Sequence, residues 1–375
     1  MILYKKINKL MIGESKVNSS RSNTIDISKG LAIFLVVLGH VIQYTFMARG
    51  EDFFKNPVFE IIYSFHMPLF MFISGYLAYG SIKRRSLTKN LQSKIKTLLI
   101  PYVVWTVILT IANMLLVFLS KREFSFIEFW RMLIHNLFLN PSIWFLYVLF
   151  IFYIMLYVTV FLQKKSANWA FFVIPILIFF IPFETIFGTH YIQFFYPFFL
   201  IGYLISKYRL SNFLTSKNKY KMVFFLSLLV IYLLLIIRWE KSDYIYINLM
   251  ELNLNSGILI GLGDVIYRYI IAFTGIAIVM LFSSWVTNPK SVSFLESVGR
   301  STLQVYLIQT LTVSFLYRYL VDIIGFPLAT NSWIFIVYSI LFTIINIILC
   351  IWIAKKVIGK NDKLHVLLFG FANRS

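Results

Sequence analysis

Asp26, Lys29 and His40 lie in one apolar segment, Asp26-Ile-Ser-Lys29-Gly30-Leu-Ala-Ile-Phe-Leu-Val-Val-Leu-Gly39-His40. Their spacing sets all three on one face of a helix. Eleven residues separate Lys29 from His40; at about 100° per residue this is about 20° past three full turns. The fourteen residues from Asp26 to His40 fall about 40° short of four turns. At a rise of about 1.5 Å per residue, the stripe carries a charge pair at one end and an imidazole about 16 Å further along. Ionisable groups in an apolar run cost several kcal/mol unless they face a cavity or a partner. A neutral imidazole held in such a place suits the removal of a proton from a reacting hydroxyl.

A second histidine sits in Phe65-His66-Met67-Pro68-Leu69-Phe70-Met71-Phe72-Ile73-Ser74-Gly75-Tyr76. His66 is six residues beyond Glu60, and His40 is seven short of Met47. Both rings are therefore expected about 9–10 Å from the same boundary, at one depth on two adjacent antiparallel helices. A single helical histidine is most often structural, bonded to a carbonyl. Two at one level above a charged stripe read instead as a site. Pro68 is expected to kink its helix and expose carbonyls near His66. His135, His190 and His365 read as structural.

Anion-binding groups are the second kind of candidate. Lys83, Arg84, Arg85, Lys89, Lys94 and Lys96 form a basic cluster suited to phosphates, and equally to lipid headgroups. Arg300, between Gly299 and Ser301, stands at a helix start, where free amides favour an anion; a topological anchor is the other reading. Arg268 in an apolar run needs a partner, and Asp264 one turn earlier is the obvious one. Trp144 reads as an interfacial belt residue. Glu60, Glu128 and Glu184 stand near helix ends, where a carboxylate can orient a histidine.

The elements that must position these groups are membrane spans. Of the 375 residues, 59% are hydrophobic and 13% charged, with a mean hydropathy of +0.80. Soluble domains run at about 45–50% apolar and about 25% charged. The apolar stretches are long continuous runs, which excludes a β-barrel. About ten segments reach spanning length: 27–47, 61–80, 97–119, 143–162, 168–187, 191–206, 221–238, 264–283, 301–320 and 332–354. The segment 124–139 is amphipathic and is expected to lie on the surface. With the N-terminus placed inside, 26 of the 35 Lys and Arg residues fall on inner segments and 8 on outer ones. That bias predicts an even number of spans with both termini cytoplasmic. The net charge of +20 is then topology and contact with anionic lipid, not nucleic-acid binding. Cys350 is the only cysteine, so an internal disulfide and a cysteine-based zinc site are excluded. The polar N-terminus does not read as a cleavable leader; the first apolar segment reads as an anchor that stays in the membrane.

These segments resemble the membrane-bound acyltransferase 3 family. Its opening helix reads Asp-x-x-Arg-Gly, an apolar run, then Gly-His, as in the stretch from Asp26 to His40. The stretch from Phe65 to Tyr76 resembles the second-helix signature of the family's fucose 4-O-acetylase-like branch. Ser142-Ile-Trp144-Phe145-Leu146 and Gly299-Arg300-Ser301-Thr302-Leu303…Tyr306-Leu307-Ile308 match weaker later motifs in the right order. Two positions depart: Lys29 replaces the usual arginine, losing its bidentate fork, and Gln309 stands where a histidine often ends the last motif.

The resemblance implies an all-α, polytopic helical bundle that moves an acyl group, usually acetyl from acetyl-CoA, onto a hydroxyl of a cell-surface glycan. On it, His40 is the general base or is transiently acylated, and His66 orients the acceptor or stabilises the oxyanion. Lys29, Lys94, Lys96 and Arg300 hold the CoA phosphates, with Asp26 fixing Lys29. No metal and no permanently bound cofactor are expected, only acetyl-CoA or another acyl-CoA as donor. The expected organisation is a cytoplasmic tail at 1–26, an acyltransferase domain at 27–355 and a second cytoplasmic tail at 356–375, all in a multi-pass protein of the cell membrane. The alternative is an exporter of polysaccharide or lipid-linked glycan, whose path the same polar stripe would line.

Overall fold

A computed structural model describes residues 23–121, 125–139, 143–164, 189–210, 220–245, 258–286, 289–317 and 332–372, with a few single positions besides. Among them there is no strand. The helices are α1 (Asn23–Ala48), α2 (Pro57–Arg84), α3 (Leu87–Lys94), α4 (Ile100–Lys121), α5 (Phe126–Ile134), α6 (Trp144–Lys164) and α7 (Thr189–Lys207). They continue with α8 (Lys221–Ile236), α9 (Ile258–Trp285), α10 (Pro289–Arg300), α11 (Thr302–Leu311), α12 (Trp333–Trp352) and α13 (Asp362–Phe369).

Six stretches are long and apolar enough to cross a bilayer: Asn23–Ala48, Pro57–Arg84, Leu87–Phe118, Trp144–Lys164, Leu262–Trp285 and Trp333–Lys360. The chain is an all-α, multi-pass membrane protein. The apolar helix α8 is shorter. The segments expected at 191–206 and 301–320 appear as α7 and as α11 with the π-helical turn Thr312–Tyr317 that follows it. Most of the segment at 168–187 lies outside the described residues, as do residues 1–22. A π-helical turn, Ile95–Leu99, joins α3 to α4, so Lys94 and Lys96 belong to the start of a spanning helix and not to a loop. The expected surface segment is α5. It exposes Phe126, Ile127, Trp130 and Ile134 and buries Leu133. The Tyr102 hydroxyl on α4 ties the turn after it by donating to the Leu137 carbonyl at 2.6 Å.

Helix α1 is the hub, packing against α2, α9, α10, α11 and α12. Its Ile27, Ala32, Ile33, Val37 and Val41 are fully buried. Between helices in lipid there is little hydrophobic drive, so close approach through small residues does the joining. One such seam joins α2 to α7. A methyl group on Gly75 would land on the Phe199 carbonyl, and one on Gly202 on the Phe72 carbonyl. Helix α13 folds back on α4, where Trp105 Nε1 donates to the Leu368 carbonyl at 2.9 Å.

Gly75→Val sets a branched side chain against backbone that has no room to yield. It is expected to destabilise the protein by about 3 kcal/mol or more, read as a lowered melting temperature of the purified protein in detergent.

Candidate active site

At its basic end α1 meets α10 backbone to backbone. A methyl group on Gly30 would strike the Leu295 carbonyl, and one on Gly299 the Asp26 carbonyl. This contact delivers Arg300 to Asp26. The Asp26 side chain is 2% exposed, with Lys29 Nζ 4.0 Å from Oδ1 and Arg300 Nε 3.5 Å from Oδ2. Arg300 also reaches Glu296 at 3.2 Å. The carboxylate is thus buried between two cations that keep outward surface, 18% for Lys29 and 56% for Arg300.

A cavity of about 280 Å³ begins at these cations. Lys29, Arg300, Thr97 and Phe371 line it; Phe70, Ile73, Leu98 and Leu149 wall it with hydrocarbon; Met67 and Tyr306 line it as well, and along α1 the lining runs from Lys29 two turns on to Val36. Val36 is one helical turn below His40, and Met67 follows His66 directly. The passage therefore runs along the stripe read from the sequence and stops one turn short of the imidazoles.

His40 faces the bundle interior. Its Nδ1 lies 2.9 Å from Gln309 Oε1 on α11, and the ring keeps part of its surface accessible. With the amide carbonyl accepting, the proton sits on Nδ1 and the lone pair on Nε2 is left for chemistry. Gln309 is fully buried, and its Nε2 has no hydrogen-bond partner among the described residues. The surrounding seam is firmly tied. Asn346 Nδ2 on α12 donates to the Thr312 hydroxyl at 3.0 Å, and the Thr45 and Tyr317 hydroxyls are 2.6 Å apart.

His66 is 3% exposed and donates from Nδ1 to the Ile62 carbonyl at 2.8 Å. Its ring stands 4.6 Å from that of Tyr63. The Tyr63 hydroxyl donates to Gln43 Oε1 at 3.3 Å, and a methyl on Gly39 would lie 2.9 Å from the Tyr63 ring. The two histidine-bearing turns of α1 and α2 therefore face each other.

Of the residues singled out from the sequence, Asp26, Lys29 and Arg300 are gathered together at the cavity, and His40 and His66 do not line it but follow the lining residues Val36, by one turn, and Met67, as its chain neighbour. Lys94 and Lys96 do not line it. Lys94 Nζ sits 4.0 Å above the Tyr153 ring, and Lys96 points to the surface beside Thr97, which does line the wall. An amide and a backbone carbonyl hold the imidazoles, so Glu60 and Glu128 do not fill the orienting role; Glu184 lies outside the described residues. Arg268 does not take Asp264. The turn Lys241–Asp243 folds inward and puts Asp243 3.6 Å from Arg268, while Asp264 pairs with Arg238 at 2.6 Å. Burial pushes the Asp243 carboxyl above the usual carboxylate range, and the Glu240 amide and the Arg268 guanidinium pull it back. Trp144 is half-buried and stacks on Tyr191 at 4.2 Å and on Phe195 at 5.3 Å. Gln309, Tyr306 and Phe371 were given no role by spacing; Tyr306 lies in the weak motif from Gly299 to Ile308, and Gln309 stood out only as a departure just after it. Among the described residues no His, Cys, Asp and Glu group is disposed to hold a metal ion.

A charged niche, an apolar passage and a buried imidazole in sequence are the parts an acyl-transfer enzyme needs. A family model described as an acyltransferase domain matches residues 22–355. The chain belongs to the acyltransferase 3 family and is a membrane acyltransferase. It is also similar to two proteins called nodulation protein NolL. The one from Mesorhizobium japonicum is 28% identical over 303 residues, covering 78% of this chain and 76% of its own length. The one from Sinorhizobium fredii is 29% identical over 301 residues, covering 78% of each chain. No solved structure matches.

Gln309→Leu removes the acceptor that fixes the His40 tautomer. The ¹⁵N spectrum of wild-type protein labelled at histidine is expected to show His40 with a protonated Nδ1 and a bare Nε2, and the variant a mixture of tautomers.

Proposed function

We propose that the protein is an O-acetyltransferase of the cell membrane that moves acetyl from acetyl-CoA to a hydroxyl of a cell-surface or exported glycan. One observation carries the reading: the cavity that starts at Lys29 and Arg300 follows α1 to within one turn of His40. The nucleotide phosphates of the donor belong with Lys29 and Arg300, where Asp26 keeps both cations in place. The distance from Lys29 to His40 along the helix is about 16 Å, the reach of an extended pantetheine arm. Threaded through the apolar passage, that arm carries the thioester to the histidines. The second-helix motif from Phe65 to Tyr76, similar to fucose 4-O-acetylases, supports a sugar hydroxyl as acceptor.

The chemistry is general-base acyl transfer. His40 Nε2 takes the proton of the acceptor hydroxyl as its oxygen attacks the thioester carbonyl carbon. The tetrahedral oxyanion that forms is assigned to the Nε2 amide group of Gln309 as donor; His66, with its proton on Nδ1, orients the acceptor by accepting a hydrogen bond from it at Nε2. Collapse breaks the carbon–sulfur bond. The CoA thiolate leaves with the proton held by His40, giving an O-acetyl ester and free CoA thiol. Because Gln309 is uncharged, the transient imidazolium gains only an amide dipole as a partner. Positioning of the hydroxyl must therefore supply much of the rate. Walls of hydrocarbon keep water from the thioester.

Two measurements test this. General-base help is worth about 10²–10⁴-fold, so His40→Ala is expected to lower kcat by at least about 10²-fold in membranes supplied with acetyl-CoA and glycan, with donor affinity within about twofold of wild type. Transfer by that variant at the wild-type rate overturns the role of His40. Charge-assisted bonds contribute about 1.5–3 kcal/mol each, discounted here because Arg300 is half exposed. Lys29→Ala and Arg300→Ala are each expected to weaken acetyl-CoA binding about three- to thirtyfold while sparing kcat at saturation, and unaltered binding in both removes the cations from the donor site.

A further inference from the structure

The chain continues past the family match, which ends at residue 355, into a segment that returns to the cavity. Helix α13 is capped at its start by Asn361, whose Oδ1 accepts from the Leu364 amide at 3.1 Å. It docks on α4 through the Trp105–Leu368 hydrogen bond and the burial of Phe369. It ends at Gly370, in the left-handed conformation at φ +79°. A side chain there would meet the Lys96 carbonyl, so conformation and space both require glycine. The turn brings Phe371 back against its own helix, where His365 Nδ1 donates to the Phe371 carbonyl at 2.6 Å. His365 is 1% exposed, so this bond is an internal tie and not a surface contact. The outcome is a phenyl ring next to Thr97 on the wall of the cavity that Lys29 and Arg300 also line, with 38% of its surface open.

A fixed backbone that presents an aromatic ring to a cavity shared with two cations suits a nucleotide: the cations meet phosphate and the ring meets the base face. We propose that Phe371 is a stacking surface for the adenine ring of the CoA donor, so that residues beyond the matched domain complete the donor site. This deepens the proposed function and rests on its donor assignment. Lipid offers the ring a competing role, that of an interfacial anchor. An anchor would be indifferent to whether the donor carries a base.

The test uses two donors on the full-length protein in membranes, acetyl-CoA and acetyl-4′-phosphopantetheine, which keeps thioester, arm and one phosphate but lacks the nucleoside. Base–aromatic stacking is typically worth about 1–3 kcal/mol, which converts to about five- to 150-fold in affinity. Phe371→Ala is expected to raise KM for acetyl-CoA at least fivefold and to leave KM for the truncated donor and both kcat values within twofold. Phe371→Trp should restore the acetyl-CoA value and Phe371→Leu should not. Equal losses for both donors, rescue by leucine, or no loss at all would each overturn the stacking role while leaving acetyl transfer intact. A wild-type protein that uses neither donor would sink the acetyltransferase reading itself. Misfolding of the alanine variant is recognised by loss of kcat with both donors, and leucine against tryptophan then decides the question alone.

Discussion

The arrangement depends on one buried carboxylate. Asp26 is almost sealed from solvent at a helix seam, where an unpaired charge would cost several kcal/mol. Two cations on different elements answer it: Lys29 on the same helix and Arg300 at the end of α10. The seam can close only because Gly30 and Gly299 let the two backbones touch. Once α10 is fixed there, α11 continues from it, and its next turns deliver Tyr306 to the cavity and Gln309 to His40. A structural ion pair and a chemical site are thus joined through the nine positions from Arg300 to Gln309. Disturbing Asp26 is expected to reach the imidazole through that lever as well as through the lost charge.

The partner of His40 is an amide where many histidine bases have a carboxylate. In a medium of low dielectric this is a physical choice with two sides. A carboxylate would hold the imidazolium more strongly, but would itself have to be kept ionised far from water. Glutamine fixes the tautomer at no desolvation cost of that kind, and it leaves an N–H group in the same plane as a donor. The departure at Gln309 from the histidine that often stands there in the resembling motif is therefore compatible with the chemistry of His40 and changes its supporting partner. The other departure, Lys29 for arginine, is eased in the same manner. The forked guanidinium that lysine lacks is present next to it, on Arg300.

Much of this could be read from spacing alone, and the limits follow from what spacing encodes. Apolar run length located the helices, because backbone groups in lipid must be satisfied within the segment. Helical periodicity put Asp26, Lys29 and His40 on one face, and depth from the helix ends matched His66 to His40. These are relations within a helix or between sequence neighbours. Gln309 meets His40 across 269 residues of sequence, and nothing local records that. Asp264 was the natural partner for Arg268 by the same helical arithmetic, but a short turn brought Asp243 inward and took its place. Lys94 and Lys96 looked like one phosphate site because they are close in sequence. Two positions apart on a helix, they face about 200° away from each other, and one stands over an aromatic ring while the other is at the surface.

On the proposed reading, a one-helix stripe also lets a membrane enzyme work with a charged donor and an acceptor from two sides. Charge is cheap to hold at a bilayer surface and costly in its middle, so the group that carries most of the donor's charge is best kept at the end of α1 where Asp26, Lys29 and Arg300 lie. What must cross the apolar layer is then only a thin, nearly neutral arm, and the passage beside α1 is walled accordingly, by Phe70, Ile73, Leu98 and Leu149. A polar lining would invite water along with the thioester and favour its hydrolysis. The imidazoles stand one turn past Val36 and next to Met67, both of which line the passage, so the acyl carbon would meet a base and a hydroxyl before it met bulk solvent. On the proposed reading, specificity divides along the same axis: the basic end selects the donor by its nucleotide, and the aromatic shell of Tyr63, Trp144 and Tyr191 near the other end is left to select the acceptor.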